Sequence, residues 1–251
     1  MSQAPYGIIR EAKPQFPVRE LLVVPHGNKD LTVSHPAFGI NFYRQNLEKM
    51  SMVYFHPETG ERISFRPATT SESISAAAYG FGCEGEFDAE RDIFNKRWLQ
   101  LGYIVRTQDG VFTNTQITDE VSLKKLLEKA EKVNGIYLID DNMAFAPYET
   151  FQGGVQDCDT FAHGGLARAL EHTQENVAKN LREIASPEHY KGGVNVWHFD
   201  DVKEPVLKVA GLGSNEYVDG GRLDVDGSNW DGYDSGFAFG VRTQKISAEN
   251  K

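Results

Sequence analysis

The stretch from Tyr148 to Leu170, YETFQGGVQDCDTFAHGGLARAL, constrains this chain more than any other segment. It is an irregular, glycine-bearing approach followed by an apolar-periodic run. Asp157 is a favourable N-cap residue, so the pattern predicts a helix whose first residue is Cys158. The free N–H groups at a helix start favour a thiolate, which makes Cys158 a candidate nucleophile; the alternative role is a small buried hydrophobe. The carboxylates of Asp157 and Asp159 flank the thiol and oppose thiolate formation.

A cysteine nucleophile needs a base, and the chain has seven histidines to supply one. His35 stands in TVSHPAFGINFY, which reads as a short β-segment that opens with the histidine. His56 follows in the strand-like run MVYFHP and is the candidate orienter of the base, with Tyr54 as a substitute. His26, in PHGN, is a rival base, but its sequence is typical of a turn and no matching strand is predicted after it. His198, in the strand-like VNVWHFD, is the alternative base.

These motifs resemble the circularly permuted members of the papain-like, NlpC-type cysteine hydrolase superfamily, relatives of the lecithin–retinol acyltransferases and the desumoylating peptidases. In that group a strand begins with His, a small or apolar residue and Gly-Ile/Leu, and a later Asn/Asp-Cys-x-x-Phe-Ala opens a helix. The matching pieces here are SHPAFGI at 34–40, the helical pattern near 118–133, YETF at 148–151 and DCDTFA at 157–162. Asp157 stands where Asn is commoner in the permuted relatives.

The resemblance covers roughly residues 20–65 and 115–185 and implies an α+β fold. In it an antiparallel β-sheet packs against the helix that bears the cysteine, in a papain-like and circularly permuted order. The whole chain, 1–251, is then a single domain with an insertion at about 67–115 and an Asp/Gly-rich C-terminal extension at about 200–251. A chain of 251 residues is long enough to bury a sizeable core.

The resemblance also implies covalent acyl transfer, in which His35 takes the proton of Cys158 and the thiolate attacks a carbonyl carbon. The backbone N–H of Cys158 and the side chain of Gln156 are the candidate oxyanion donors, each worth on the order of 3 kcal/mol. Tyr148 is a candidate substrate contact. The expected protein is a cysteine-dependent amidase, peptidase or acyltransferase that needs no cofactor or metal. Its expected substrates are peptide, isopeptide, cell-wall peptide or lipid acyl bonds.

A second class of function stays open, a non-catalytic binding or structural protein in which Cys158 is buried and inert. The segment DGGRLDVDGSNWDGYD, residues 219–234, spaces five carboxylates with glycines, which suits calcium. It does not follow the EF-hand spacing, so an acidic, turn-rich loop is the alternative. Together with the aromatic residues of the C-terminal third, it would form a calcium- or glycan-contacting surface.

The composition of the chain excludes some classes of binding partner. A net charge of −10 argues against nucleic acid or an anionic membrane as the main partner. Two cysteines, at 83 and 158, do not make a disulfide framework. The N-terminal residues lack the pattern of a signal peptide, and no window approaches the ~18 apolar residues of a membrane span. The chain is expected to be cytoplasmic as synthesised, with export by a signal-independent route left open.

Several elements are predicted from hydrophobic periodicity and turn residues. Gly164-Gly165 is expected to be a site of close approach by a strand, and residues 67–84 receive no assignment. The predicted strands are 19–25, a segment from His35, 194–199 and 205–212; the predicted hairpins join 52–57 to 61–66 and 103–106 to 111–113; the predicted helices are 91–101, 118–133 and a long one from Cys158 toward Pro187.

Overall fold

The structure is a computed structural model, and it describes residues 20–55, 59–82, 87–229 and 235–243. Short helices are interspersed among the strands. Within the described residues the helices are α1 (Tyr43–Met50), α2 (Thr70–Gly82), α3 (Glu120–Leu127), α4 (Cys158–His163), α5 (Gly165–Glu171) and α6 (Lys179–Ile184), with a π-helical turn at Glu90–Phe94 and a 3₁₀ turn at Tyr148–Thr150.

Most of the strands are three to ten residues long and follow one another through short turns. They are β1 (Glu20–His26), β2 (Lys29–His35), β3 (Phe38–Asn41), β4 (Val53–Phe55), β5 (Arg62–Pro67), β6 (Trp98–Arg106), β7 (Gly110–Thr113), β8 (Glu131–Val133), β9 (Ile136–Leu138), β10 (Ala144–Pro147), β11 (Gly154–Gln156), β12 (Val194–Trp197), β13 (Val206–Asn215), β14 (Arg222–Asn229), β15 (Gly236–Ala238) and β16 (Gly240–Arg242).

The strands form two sheets. The smaller sheet has the order β1-β2-β16-β5-β4, and the larger has the order β11-β12-β14-β13-β6-β7-β10-β9-β8, with β15 and β3 attached beside β6. Neighbouring strands run antiparallel except for β12 with β14 and β15 with β6, which are parallel. The α+β class and the predominance of antiparallel sheet are therefore confirmed.

Helix α2 is the buried centre of the fold. It packs against α5, α6, β1 and β6, and its residues from Thr70 to Ala78 are all buried. A capping box opens it: Glu72 N donates to Thr69 Oγ1 at 3.2 Å, and Thr69 N donates to the Glu72 carboxylate at 3.0 Å. Helix α2 consists mainly of small residues and is buried on all sides, so its sequence has no apolar stripe. Hydrophobic periodicity therefore gave no assignment for residues 67–84.

Two helix predictions are wrong in extent. The helix predicted for 118–133 begins as expected, since Asp119 caps it by accepting from Ser122 N at 2.8 Å, but it ends at Leu127. Residues 131–133 form β8 instead, because the left-handed backbone at Asn134 and Gly135 turns the chain back into β9.

The long helix predicted from Cys158 is three short helices. Gly164 has an extended backbone and separates α4 from α5, and His172, with φ +52°, ends α5 in the left-handed region. The close approach expected at the glycine pair is present at Gly165, where a Cβ atom would lie 1.9 Å from Thr150 Oγ1. The approaching segment is the 3₁₀ turn after β10, not a strand.

Most of the predicted strands are present, whereas the helix predicted at 91–101 is not. That segment contains the π-helical turn and the start of β6. Both predicted hairpins are confirmed, as β4 pairs with β5 and β6 pairs with β7. His35 does not open a strand; it closes β2, and β3 follows it.

The described parts of the segments assigned to an insertion and to a C-terminal extension contribute strands to the sheets. Residues 67–115 supply α2, β6 and β7, and residues 200–251 supply β13 and β14, which stand beside β6 in the middle of the larger sheet. The first segment thus supplies the helix that carries Ser75, and the second supplies two central strands of the larger sheet.

Candidate active site

Cys158 occupies the predicted first position of α4. Asp157 caps the helix, with its carboxylate accepting from Thr160 N at 2.8 Å and from Thr160 Oγ1 at 2.6 Å. The approach to the helix comes from the short edge strand β11. The local geometry of a thiol at a capped helix start is therefore as predicted.

The surroundings of the thiol favour its protonated form. Cys158 is only 9% exposed, and its Sγ donates to the carbonyl oxygen of Arg182 at 3.3 Å. Burial raises the pKa of the thiol, and the carboxylate of Asp159 raises it further. The neighbouring Arg182 guanidinium opposes this effect, but it is itself ion-paired with Asp159 at 2.8 Å.

An open cavity of about 590 Å³ adjoins the thiol between α4 and α6. Among the described residues that line it there is no histidine, so this part of the chain offers Cys158 no imidazole base in the cavity. The lining residues are Asp157, Cys158, Asp159, Lys179, Arg182, Glu183, Ser186 and Pro187.

His35 is not hydrogen-bonded to Cys158. Its buried Nδ1 has no hydrogen-bond partner among the described residues, and its ring packs edge-on against Phe87 with centroids 5.2 Å apart. The structure thus does not join the two side chains into a nucleophile–base pair. His56, the expected orienter, lies outside the described residues.

Gln156 and Tyr148, the two residues expected to contact substrate, donate hydrogen bonds to backbone carbonyls of the protein instead. Gln156 Nε2 donates to the carbonyl of Gln152 at 2.9 Å, within the loop that precedes α4. The Tyr148 hydroxyl donates to the carbonyl of Asp200 at 2.8 Å, and burial raises its pKa far above the ordinary value. Neither side chain lines the cavity beside Cys158.

His198, the alternative base, faces an aspartate rather than the cysteine. Its Nδ1 lies 3.1 Å from Asp226 Oδ1, its backbone has φ +52°, and its carbonyl accepts a hydrogen bond from Arg106. It does not line the Cys158 cavity. The pair lies on another part of the large sheet, with the His198 side chain exposed and that of Asp226 mostly buried.

The acidic segment 219–234 is described as far as residue 229, and that part is largely the strand β14. Asp224 accepts from Arg222 Nε and from Asn215 Nδ2, both at 3.1 Å, so its carboxylate is taken up within the sheet. Asp226 accepts from Ser228 Oγ at 2.9 Å in addition to its contact with the histidine. In the described part of the chain no three His, Cys, Asp or Glu side chains converge as a metal site would require.

A nucleophile and a base do meet elsewhere, where α2, α6 and the end of β1 come together. Ser75 Oγ lies 2.9 Å from His26 Nδ1, and Asn180 Nδ2 donates to the same Oγ at 3.3 Å. Serines inside helices commonly donate to the carbonyl one turn earlier, but the hydrogen bonds of Ser75 Oγ within the described residues are these two. The Ser75 hydroxyl accepts from Asn180, and it either donates to His26 Nδ1 or accepts from it, according to the tautomer of the ring.

The surroundings of His26 keep its ring neutral. Burial lowers the pKa of His26 below its ordinary value, Lys29 lowers it further, and Glu72 opposes them. A neutral ring that accepts at Nδ1 carries its proton on Nε2. His26 is half-buried while the following turn residues Gly27 and Asn28 are exposed, so the pair lies near the surface.

The pair sits in a polar network that crosses the helix interface. Glu72, one turn before Ser75 on α2, is 3% exposed and is bound by Arg66 through two contacts of 2.6 Å. Glu171 accepts from the backbone of Asn180 at 3.2 Å on the other side of Ser75. Buried titratable groups with perturbed pKa values cluster at functional sites more often than elsewhere.

Sequence reasoning missed this cluster because its members are far apart in the chain. His26, Ser75 and Asn180 come from three elements, and Ser75 lay in a segment without an assignment. The capping box Thr69-x-x-Glu72 is the signal that could have placed Ser75 on a helix. Nothing in the sequence pairs that helix with the end of β1.

The comparisons give no relative for this chain: no family model, no curated protein and no solved structure matches it. Among the described residues, no helix combines the length and the apolar composition needed to cross a membrane. The function is therefore argued from the geometry of the side chains.

Proposed function

We propose that the protein is a hydrolase that cleaves an ester or amide bond through a covalent acyl intermediate on Ser75, with His26 as the base. The observation that carries the proposal is the 2.9 Å contact between Ser75 Oγ and His26 Nδ1. In the proposed tautomer the ring proton is on Nε2, and Nδ1 accepts from the hydroxyl. A hydroxyl nucleophile within hydrogen-bond reach of an imidazole base is the first part of the arrangement used in nucleophilic catalysis; the second part is a group that orients the base.

The proposed steps balance in protons and bonds. Ser75 Oγ attacks the carbonyl carbon while His26 Nδ1 takes the hydroxyl proton. The bond to the leaving group then breaks, and His26 returns the proton to that group. His26 then takes a proton from a water molecule as the water oxygen attacks the acyl carbon. The bond from that carbon to Ser75 Oγ breaks, His26 returns the proton to Oγ, and the carboxylic acid leaves. Asn180 Nδ2, already 3.3 Å from Oγ, is the proposed donor to the oxyanion.

The burial of the serine limits the proposed substrate. Ser75 is 5% exposed, so only a slender acyl group can reach its hydroxyl. We therefore propose a small acyl ester or a short peptide end as the substrate, in preference to a loop of a folded protein. This keeps the class of bond expected from the sequence, a peptide or lipid acyl bond, and changes the nucleophile.

A cysteine-dependent mechanism stays a prediction with less geometric support. It would need a thiolate at Cys158, whereas burial and Asp159 raise the pKa of that thiol. It would also need a base, whereas the buried Nδ1 of His35 has no hydrogen-bond partner among the described residues. The papain-like, circularly permuted arrangement likewise stays a prediction.

A small fluorophosphonate probe tests the proposal, since it phosphonylates activated serines with loss of fluoride. We expect stoichiometric labelling, located on Ser75 by peptide mass spectrometry, together with hydrolysis of p-nitrophenyl acetate. Ser75→Ala removes both activities and His26→Gln slows both at least a hundredfold. Ser73→Ala is the matched control, because Ser73 is a buried serine of the same helix. A folded wild-type protein that neither labels at Ser75 nor turns over the ester overturns the proposal.

A further inference from the structure

Helix α6 begins without a cap of its own. The residue at its N-cap position is Ala178, which has no side-chain acceptor for the free N–H groups of the first turn. Such N–H groups need an acceptor when they are buried. The acceptor in this structure comes from another helix.

Glu171, the last residue of α5, supplies that acceptor. Its Oε1 accepts from Asn180 N at 3.2 Å and its Oε2 accepts from Leu181 N at 3.1 Å. The chain turns sharply after Glu171, because His172 adopts a left-handed backbone. The carboxylate therefore spans from the end of α5 to the start of α6.

The residue that Glu171 holds by its backbone is the one whose side chain reaches Ser75. Asn180 N binds the carboxylate of Glu171, and Asn180 Nδ2 donates to Ser75 Oγ at 3.3 Å. We propose that Glu171 is a positioning residue for the reaction at Ser75, acting through Asn180; this rests on the function proposed above. With both oxygens engaged, the carboxylate fixes where the amide donor stands relative to the attacking oxygen.

The competing explanation is that Glu171 stabilises α6 and nothing more. Both explanations expect a lower melting temperature for Glu171→Gln, which keeps the shape of the side chain but replaces one acceptor oxygen with a donor facing Leu181 N. They differ in the rate at which Ser75 reacts. If Glu171 positions Asn180, Glu171→Gln slows fluorophosphonate labelling of Ser75 by about tenfold to a hundredfold, since small displacements of catalytic groups have effects of this size.

A double-mutant cycle on labelling rates decides between them. Glu171→Gln is expected to add no further slowing to Asn180→Ala, because the donor that Glu171 positions is already absent in that variant. Glu175→Gln is the matched control: Glu175 lies in the loop between α5 and α6, is exposed and pairs with Lys179 at 2.7 Å, and its substitution should leave the rate unchanged.

The outcomes separate the two proposals. Normal labelling in a less stable Glu171→Gln protein, or equal slowing by Glu171→Gln with and without Asn180, overturns the positioning role and leaves the proposed function standing. Failure of the wild-type protein to label at Ser75 overturns both. Slowing that disappears in the Asn180→Ala background, with the control unchanged, establishes the positioning role.

Discussion

Both terminal nitrogens of Arg66 donate to the carboxylate of Glu72, each at 2.6 Å, and this pair ties strand β5 to the first turn of α2. Glu72 is almost wholly buried, whereas the Arg66 side chain is 43% exposed. The same carboxylate accepts from Thr69 N and so also serves the helix cap. The ion pair therefore fixes the start of the helix that carries Ser75.

Because the two partners are buried to different extents, the effect of Glu72→Gln on the free energy of unfolding should change sign when Arg66 is removed. Arg66→Ala leaves a buried carboxylate without its counter-ion and should lower the free energy of unfolding by about 2 kcal/mol. Glu72→Gln alone should also destabilise, since it weakens the pair. In the Arg66→Ala background, however, Glu72→Gln removes the stranded charge and should stabilise the protein.

Urea unfolding of the four proteins measures this cycle. Arg62→Ala, an exposed arginine on the same strand, is the control and should change stability by less than about 0.5 kcal/mol. Additive effects of Arg66→Ala and Glu72→Gln would show that the pair contributes no coupling.

The same carboxylate predicts how stability depends on pH. Burial acts to raise the pKa of Glu72, but the hydrogen bonds from Arg66 and Thr69 outweigh it, so the pKa in the folded protein lies below the ordinary 4.5. The stabilisation is thus fully present above pH 4.5 and is lost as the pH falls through the lower, folded value. The free energy of unfolding, measured between pH 7 and pH 3, should fall less steeply for Glu72→Gln than for the wild type; parallel curves would contradict the assignment.

If His26 is the base, the rate of the reaction at Ser75 should fall at acid pH, which gives its pH profile an acid limb. The ring must be neutral to take a proton, and burial together with Lys29 holds the pKa of His26 below its ordinary 6.5. The labelling rate should therefore be level at neutral pH and fall only as the pH drops through that lowered value. Lys29→Gln removes a cation that lowers the pKa, so it should move the acid limb to higher pH.

Lys132→Gln serves as the control for this shift, because Lys132 lies over the ring of Tyr137 and does not act on His26. An acid limb that stays in place in Lys29→Gln would mean that a group other than His26 governs the rate.

The elements of the fold that were predicted correctly from the sequence are those marked by local turn or capping residues. The hairpin that joins 103–106 to 111–113 and the helix start at Cys158 were predicted correctly, because turn and capping signals act within a few residues. The end of α3 was misplaced because the hairpin turn at Asn134-Gly135 competes with a helical pattern that runs into it.

The cluster of His26, Ser75 and Asn180 could not be predicted from local sequence signals. Ser75 meets His26 from 49 residues away and Asn180 from 105 residues away, and only the packing of α2 against β1 and α6 brings them together. The Cys158 helix start was predictable from the capping aspartate. The burial of the thiol and its contact with the Arg182 carbonyl depend on α6, which periodicity had merged with α4.

The close contact at Gly165 predicts a specific packing defect. A Cβ atom there would lie 1.9 Å from Thr150 Oγ1 and 2.6 Å from Thr150 Cβ, so Gly165→Ala should destabilise the protein by roughly 2 to 3 kcal/mol. Thr150→Gly in the same chain removes both clashing atoms and should recover part of the loss. Thermal or urea unfolding measures the effect. Gly153→Ala is the control, since the nearest atom to its Cβ would be 3.8 Å away, and a Gly165→Ala protein as stable as that control would contradict the geometry.

The thiol of Cys158 should react slowly near neutral pH, because burial and Asp159 raise its pKa above that of a free cysteine. Iodoacetamide alkylation, followed against pH in a Cys83→Ala background so that one thiol is observed, should accelerate only above the ~8.5 pKa of a free thiol. His35→Ala should leave the profile unchanged, since no hydrogen bond joins the two side chains. Asp159→Asn should quicken alkylation at pH 8, because it removes a carboxylate that raises the pKa and releases Arg182 from its ion pair. A rate plateau well below pH 8.5 that is lost in His35→Ala would instead establish the cysteine–histidine pair predicted from the sequence, and would move the proposed chemistry from Ser75 to Cys158.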